Sequence, residues 1–173
     1  LLLSVIPRTS QIGIIAEVGL YGAAYKVIDV LITLPFMFAG IVLPILTARW
    51  LEKDKEGFKN VLQRSFDAMI IFAIPVIFGA QFVADKIMVI VAGPEFIVAG
   101  KILKLLIIAC GAIFFGNIFA HAVIAIDKQK NIIGAYIFTA ITSVIGYLVF
   151  IPLYSFYGAA WITIYSEVAI SIA

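Results

Sequence analysis

Ionisable side chains inside long apolar stretches are the first candidates for chemistry in this 173-residue chain. Arg8, His121 and Glu167 each lie in such a stretch, where a charge is costly and is usually retained for a function. Arg8 follows a proline and precedes a polar Thr-Ser-Gln run, and a guanidinium can hold an anion through two parallel hydrogen bonds. The alternative for Arg8 is a side chain that extends along its helix to the membrane surface.

Asn117 and His121 are four residues apart, so on a helix they share one face. We take both as candidates for substrate binding, although a single histidine is more often a packed, hydrogen-bonded residue than a proton carrier. Glu167 has two interpretations. It is either a site for a coupling ion or proton, or the partner of a basic residue elsewhere in the protein.

Four apolar stretches are long enough to place these residues in a membrane: 23–48, 66–91, 102–126 and 132–153. A helix needs about 20 apolar residues to cross a bilayer, and two partial spans, 1–16 and 159–173, flank the four. Hydrophobic residues make up 64% of the chain and the mean hydropathy is +1.18. Since the apolar runs are continuous and do not alternate, we predict an all-α integral membrane protein, one lobe of about six helices over residues 1–173.

The remaining composition excludes several classes of function. The net charge of +2 is too small to indicate a nucleic-acid partner, and Cys110, the single cysteine, has no partner for a disulfide. The chain has no Gly-Lys-Ser/Thr phosphate loop, no histidine and cysteine set with metal-ligand spacing, and no catalytic triad. We therefore expect a protein that is not an enzyme and has no cofactor or metal. A membrane-embedded transferase or hydrolase with its catalytic residues elsewhere is the less favoured alternative.

The two ends predict a fragment. The chain starts at Leu1 without a basic region before its apolar run, and the last apolar run has no Lys or Arg anchor. We expect the first and last helices to be incomplete. The parent protein is then expected to have further helices on both sides, with the larger missing part upstream.

Basic residues predict the orientation, because they concentrate in two connections that must face the same side. These residues are Arg49, Lys53, Lys55, Lys59, Arg64, Lys128 and Lys130. By the positive-inside rule that side is cytoplasmic, in the cell membrane.

The segment 50–65 has apolar residues at helical spacing, which favours an amphipathic helix on the inner membrane surface; a solvated hairpin loop is the alternative. At the other side, Asp85 and Lys86 end a helix, where we expect them to pair locally.

Three of the prolines inside the predicted spans are candidates for hinges. Pro35 and Pro44 lie in the apolar stretch 23–48, and Pro75 lies in the stretch 66–91. Each removes a backbone hydrogen bond and loosens its helix, so each is either a hinge or a packing feature.

A short pattern occurs twice, once with Gly22 and once with Gly158. Both glycines follow a tyrosine and precede Ala-Ala and an aromatic residue, in Tyr21-Gly22-Ala23-Ala24-Tyr25 and Tyr157-Gly158-Ala159-Ala160-Trp161. Small residues let helix backbones approach closely. We predict helix contacts at both glycines.

Several motifs, taken in order, carry a resemblance to a known family. They are Val18-Gly19-Leu20-Tyr21-Gly22-Ala23-Ala24-Tyr25-Lys26, a helix ending at Leu43-Pro44, Ala92-Gly93-Pro94-Glu95-Phe96 with Ala99-Gly100-Lys101-Ile102-Leu103, Asp127-Lys128-Gln129-Lys130, and Tyr157-Gly158-Ala159-Ala160 with Glu167 downstream. Over nearly its whole length the chain resembles the C-terminal half of polysaccharide exporters. These are the Wzx-type lipid-linked oligosaccharide flippases of the MATE-like superfamily.

The resemblance implies the C-terminal lobe of a two-lobed transporter, whose N-terminal lobe would be a missing partner of the same chain. Such proteins carry a polyprenyl-diphosphate-linked oligosaccharide across the cytoplasmic membrane by alternating access. Arg8 would then contact the diphosphate. The nearest rival is a MATE-type cation-coupled multidrug exporter, expected to bind organic cations through acidic residues, whereas Arg8 is basic. A purely structural scaffold would leave Arg8 and Glu167 unexplained.

Overall fold

The computed structural model describes residues 13–172, and four long α-helices account for most of them. They are α1 (Ile14–Leu51), α2 (Lys55–Ala92), α3 (Ala99–Ala125) and α4 (Gln129–Ile172), with a 3-10 turn at Pro94–Phe96 before α3. All four helices are long and apolar enough to cross a membrane. Residues 13–172 contain no strand. The prediction of an all-α, multi-pass membrane protein is confirmed, while the count of six helices and the two-lobed arrangement stay predictions.

The last helix, α4, folds back on itself at Ser155. That residue has a non-helical backbone, with φ 52° and ψ −130°, three residues after Pro152. Thr142 Oγ1 lies 3.0 Å from Tyr165 Oη, although 23 residues of straight helix would separate them by about 34 Å. The segments 129–154 and 156–172 are therefore two antiparallel arms, called here the first and second arms of α4.

The central element is α3, which contacts α1, α2 and α4. Its inward-facing side chains are almost fully buried: Ile102, Leu103, Leu106, Ile107, Cys110, Phe114 and Ile118. Alanines from the neighbouring helices complete this core, namely Ala24, Ala39, Ala73, Ala84 and Ala160. Lipid tails are as apolar as leucine, so helices in a bilayer associate mainly by close van der Waals packing, and small residues permit it.

The outer surface of the bundle is apolar. Phe82 and Ile90 on α2 are each 83% exposed, and Phe138 and Leu153 on α4 also point outward. In water this surface would drive aggregation, whereas hydrocarbon solvates it. The exposed side chains therefore fit a protein surrounded by lipid.

The basic connections meet at one end of the bundle, called here the basic end. It contains the turns 52–54 and 126–128, each with a residue of positive φ, Lys53 and Asp127. Val42 and Leu46 of α1 pack there with Ala122 and Ala125 of α3. The opposite end contains the turn 93–98, with Gly93 at φ 110°, and the reversal at Ser155. Both basic connections thus share one end, as the helix count predicted.

The segment 50–65 differs from its prediction as a separate amphipathic helix. Its first residues end α1, residues 52–54 form a turn, and the rest begins α2. Asp54 starts α2, because its side chain accepts a hydrogen bond of 2.8 Å from the Gly57 amide. Phe58 and Val61 pack against the cluster at the basic end. Protein therefore covers part of the apolar face, and nothing interrupts the helix between Lys55 and the apolar stretch.

The four apolar stretches predicted to cross the membrane, 23–48, 66–91, 102–126 and 132–153, lie inside these helices to within one residue. The partial span 1–16 lies mostly outside the described residues, and residues 159–172 of the other partial span form much of the second arm. Pro35 is buried, Pro44 and Pro75 are exposed, and the helix continues through all three. A hinge at these prolines stays a prediction.

Candidate functional site

A cavity of about 520 Å³, called here the main cavity, lies between α1 and the two arms of α4. Its volume is in the range of small-ligand pockets, roughly 300–1,000 Å³. The polar residues lining it are Tyr21, Tyr25, Tyr147, Thr163, Ser166 and Glu167. Val18, Gly22, Ile151 and Ala159 supply the apolar wall. A cavity with polar side chains in its wall thus lies between helices long and apolar enough to cross a membrane.

Three hydroxyl groups join the walls of the main cavity. Thr163 Oγ1, on the second arm, lies 3.1 Å from Tyr21 Oη of α1 and 3.0 Å from Tyr147 Oη of the first arm. The threonine is buried, and its hydroxyl also donates to the Ala159 carbonyl oxygen at 3.0 Å. This cluster fixes α1 and both arms of α4 relative to one another. Tyr21 also stacks on Tyr25, with ring centroids 6.0 Å apart.

Glu167 is the only charged side chain among the described residues that line the main cavity. Its carboxylate has no hydrogen bond or ion pair within residues 13–172. It also lines a second cavity of about 160 Å³, shared with Asn117, Tyr136 and Ser171. Glu167 therefore stands where the two cavities approach each other. A carboxylate in this position can attract a cation or accept hydrogen bonds from a ligand.

Asn117 lies on the wall of the second cavity, buried in α3. Its Nδ2 is a buried donor without a partner in the part of the chain that the structure describes. Such a donor is costly unless water or a ligand satisfies it. The structure thus brings Asn117 and Glu167, 50 positions apart in the sequence, to one cavity.

His121 lies near Asn117 but lines neither cavity. Its Nδ1 is 2.8 Å from the Asn117 carbonyl oxygen. Since a carbonyl can only accept, Nδ1 carries the proton in this bond. This arrangement is that of a hydrogen-bonded helix residue, so the predicted shared role with Asn117 has no support in the geometry. Arg8, the remaining candidate for substrate binding, lies outside the described residues.

The two glycines of the repeated pattern differ in their surroundings. A Cβ at Gly158 would lie 2.7 Å from the carbonyl carbon of Phe150, so this glycine is where the two arms of α4 meet. At Gly22, apart from the backbone of its own helical turns, no described atom would lie within 4 Å of such a Cβ. Gly22 lines the main cavity, and the helix contact predicted there stays a prediction, because the described residues supply no partner for it. Among the described residues, the same sequence pattern meets the other arm of α4 at one site and open space at the other.

Two polar contacts at the opposite end were missed by the sequence patterns. Glu17 is buried in α1 and accepts a hydrogen bond from the Ser155 hydroxyl, where α4 reverses. Asp85 of α2 pairs with Lys104 of α3, at 2.6 Å, and so the predicted local pairing with Lys86 is wrong. The rule that selected Glu167, a charge in an apolar run, also selects Glu17. No local pattern identifies Lys104 as the partner of Asp85, since they lie on different helices.

Comparison with known proteins adds no assignment to this geometry. No family model, no curated protein and no solved structure matches the chain. Among residues 13–172 no group of three or more His, Cys, Asp or Glu side chains is placed to hold a metal ion. The main cavity combines an apolar wall with hydroxyl groups and one carboxylate.

Proposed function

We propose that this chain is part of a membrane transporter that moves a polyprenyl-diphosphate-linked oligosaccharide across the cytoplasmic membrane by alternating access. Three features support the proposal: the resemblance to Wzx-type flippases, the four long apolar helices, and a cavity between them whose wall includes hydroxyl groups and a carboxylate. Sugar hydroxyls and a diphosphate cannot enter hydrocarbon without losing their hydrogen bonds to water. A transporter of such a molecule needs polar groups at membrane depth.

The main cavity is the single observation that carries the proposal. Its hydroxyl groups and the Glu167 carboxylate offer hydrogen bonds to a sugar, and its tyrosine rings offer flat apolar surface. The prenyl chain of the substrate would stay in the bilayer, beside the exposed apolar faces of the helices. The diphosphate would be bound elsewhere, with Arg8 as the candidate from the sequence.

A second candidate function is a MATE-type cation-coupled exporter, and one observation favours it. The only charged side chain among the described residues of the main cavity is acidic. A carboxylate near aromatic rings suits an organic cation. No residue of the described chain favours the third candidate, a membrane-embedded enzyme.

Complementation tests the first candidate against the second. The full-length protein would be expressed in a bacterial strain that lacks its own flippase, and surface polysaccharide and accumulated lipid-linked precursor would be measured. We expect restored export, and a reduction of about tenfold or more for Glu167→Gln, because a charge-assisted hydrogen bond to the sugar is lost. Glu95→Gln, which changes an exposed carboxylate at the opposite end, is the matched control.

The same cells would be tested for efflux of ethidium, an organic cation. Efflux that depends on Glu167, without polysaccharide export, would replace the flippase proposal with the exporter. If the protein reaches normal levels in the membrane and neither activity is detected, both candidates are rejected.

A further inference from the structure

The hydrogen-bond directions around Thr163 follow from counting protons. Its hydroxyl has one proton and makes three contacts, to the Ala159 carbonyl oxygen and to the hydroxyls of Tyr21 and Tyr147. A carbonyl oxygen can only accept, so the threonine proton goes to Ala159. Thr163 then accepts from both tyrosines through its two lone pairs. The hydroxyl protons of Tyr21 and Tyr147 are therefore used in these bonds and are not free to be donated to a ligand.

The other polar groups of the main cavity also have few free hydrogen-bond donors. Ser166 donates its hydroxyl proton to the Thr163 carbonyl oxygen, at 2.9 Å. Glu167, when ionised, has only acceptors. Tyr25 alone keeps a hydroxyl proton without a bond within residues 13–172. The wall of the cavity therefore offers the free lone pairs of Tyr21, Tyr147 and Ser166 and one carboxylate, against a single free O–H donor.

A ligand that fits this wall must donate several hydrogen bonds and accept few. Each hydroxyl of a neutral sugar can donate one hydrogen bond to this wall, but its oxygen and the ring oxygen also need donors, and an acetamido group needs a donor for its carbonyl oxygen. A primary ammonium group has three N–H donors, no acceptor and a positive charge. The carboxylate neutralises that charge, and the stacked rings of Tyr21 and Tyr25 border the same space.

We propose that the main cavity is a binding site for a primary ammonium group, carried by an amino sugar of the transported oligosaccharide. Glu167 pairs with the ammonium group, and the hydroxyl oxygens of Tyr21 and Tyr147 accept its other protons. That the group is carried by a sugar rests on the proposed function. The preference for an ammonium group rests on the hydrogen-bond directions and on the Glu167 carboxylate, and not on the proposed function.

Direct binding to the purified full-length protein tests the proposal. Equilibrium dialysis at pH 6.5 would compare glucosamine, which is protonated, with two neutral sugars: glucose, which is nearly the same size, and N-acetylglucosamine, which carries an additional acetyl group. We expect glucosamine to bind about tenfold more tightly than either neutral sugar, as is usual for a charge-assisted hydrogen bond that replaces a neutral one. Glu167→Gln is expected to remove the preference, and Glu95→Gln to keep it.

Each outcome decides the proposal. Equal binding of the three sugars, or a preference that survives Glu167→Gln in a folded variant, overturns it. If millimolar sodium displaces glucosamine, and this displacement requires Glu167, the cavity is assigned to a metal cation instead. If methylammonium and glucosamine both bind, and both lose binding in Glu167→Gln, the ammonium site is upheld. That result combined with failed complementation would reject the flippase function while leaving the ammonium site in place.

Discussion

Lys104 on α3 and Asp85 on α2 form an ion pair between their helices, with Nζ 2.6 Å from Oδ2. Gln81 Nε2 adds a hydrogen bond of 3.0 Å to the Lys104 carbonyl oxygen. Gly100 permits the close approach, because a Cβ there would lie 2.6 Å from the Cα of Asp85. These contacts fix α2 to α3 at the opposite end, beside the turn that joins them.

Replacing Lys104 by methionine should destabilise the bundle, since Asp85 loses its partner. The pair is partly exposed, so we expect a loss of about 1 kcal/mol in the free energy of unfolding. Thermal unfolding in detergent would measure it. Lys86→Met, next to Asp85 in sequence, is the control and should have little effect. Equal losses for the two variants would contradict the pairing.

Gly158→Ala should destabilise the protein, whereas Gly22→Ala should not. The new methyl at Gly158 would overlap the backbone of Phe150 and force the arms of α4 apart, at a cost of about 1–3 kcal/mol. The new methyl at Gly22 meets only open space among the described residues. Unfolding temperatures of the two variants, compared at equal expression, would check this. Similar temperatures would show that the arms do not meet as closely as described.

Thr163→Val should leave the hydroxyl groups of Tyr21 and Tyr147 without their acceptor. We expect a loss of about 1–3 kcal/mol in the free energy of unfolding, while Thr163→Ser keeps the acceptor and most of the stability. Tyr147→Phe should then cost less in the Thr163→Val background than in the wild type, because the shared bond is already gone. Additive losses would show that the two side chains do not interact.

Residues 56 and 128 should face the cytoplasm, and residue 95 should face outside. The basic connections share one end of the bundle, and the positive-inside rule assigns that end to the cytoplasm. Single cysteines at Glu56, Lys128 and Glu95 would be labelled with an impermeant maleimide in intact cells, in the full-length protein with Cys110→Ala. Labelling at position 56 but not 95 would reverse the predicted orientation.

Arg8→Glu should abolish export, and Arg8→Lys should retain part of it. This prediction comes from the sequence, since Arg8 lies outside the described residues. A lysine keeps the positive charge but loses the two-point contact with a phosphate, and a glutamate repels it. Surface polysaccharide and accumulated precursor would be measured in the flippase-deficient strain. Normal export by Arg8→Glu would remove Arg8 from the transport path.

The helices were predictable because their cause is local. A run of about 20 apolar residues in a bilayer must satisfy its own backbone hydrogen bonds, so it forms a helix whatever surrounds it. The segment 50–65 was not predictable in the same way. Helical spacing shows that Phe58 and Val61 share an apolar face, but it does not show whether lipid or protein covers that face.

In the candidate site, too, some features follow from the local sequence and others only from tertiary contacts. The sequence alone determined an all-α membrane protein, its four long apolar segments and the choice of Glu167 as a candidate, because hydrophobicity and the cost of a charge in hydrocarbon are properties of each segment. Only the tertiary structure decided what surrounds Glu167. Tyr21 and Thr163 are 142 positions apart, and they meet because α4 reverses at Ser155 and returns along α1. Hydrogen-bond directions depend on which donors and acceptors meet in space, and spacing along a single chain does not specify that.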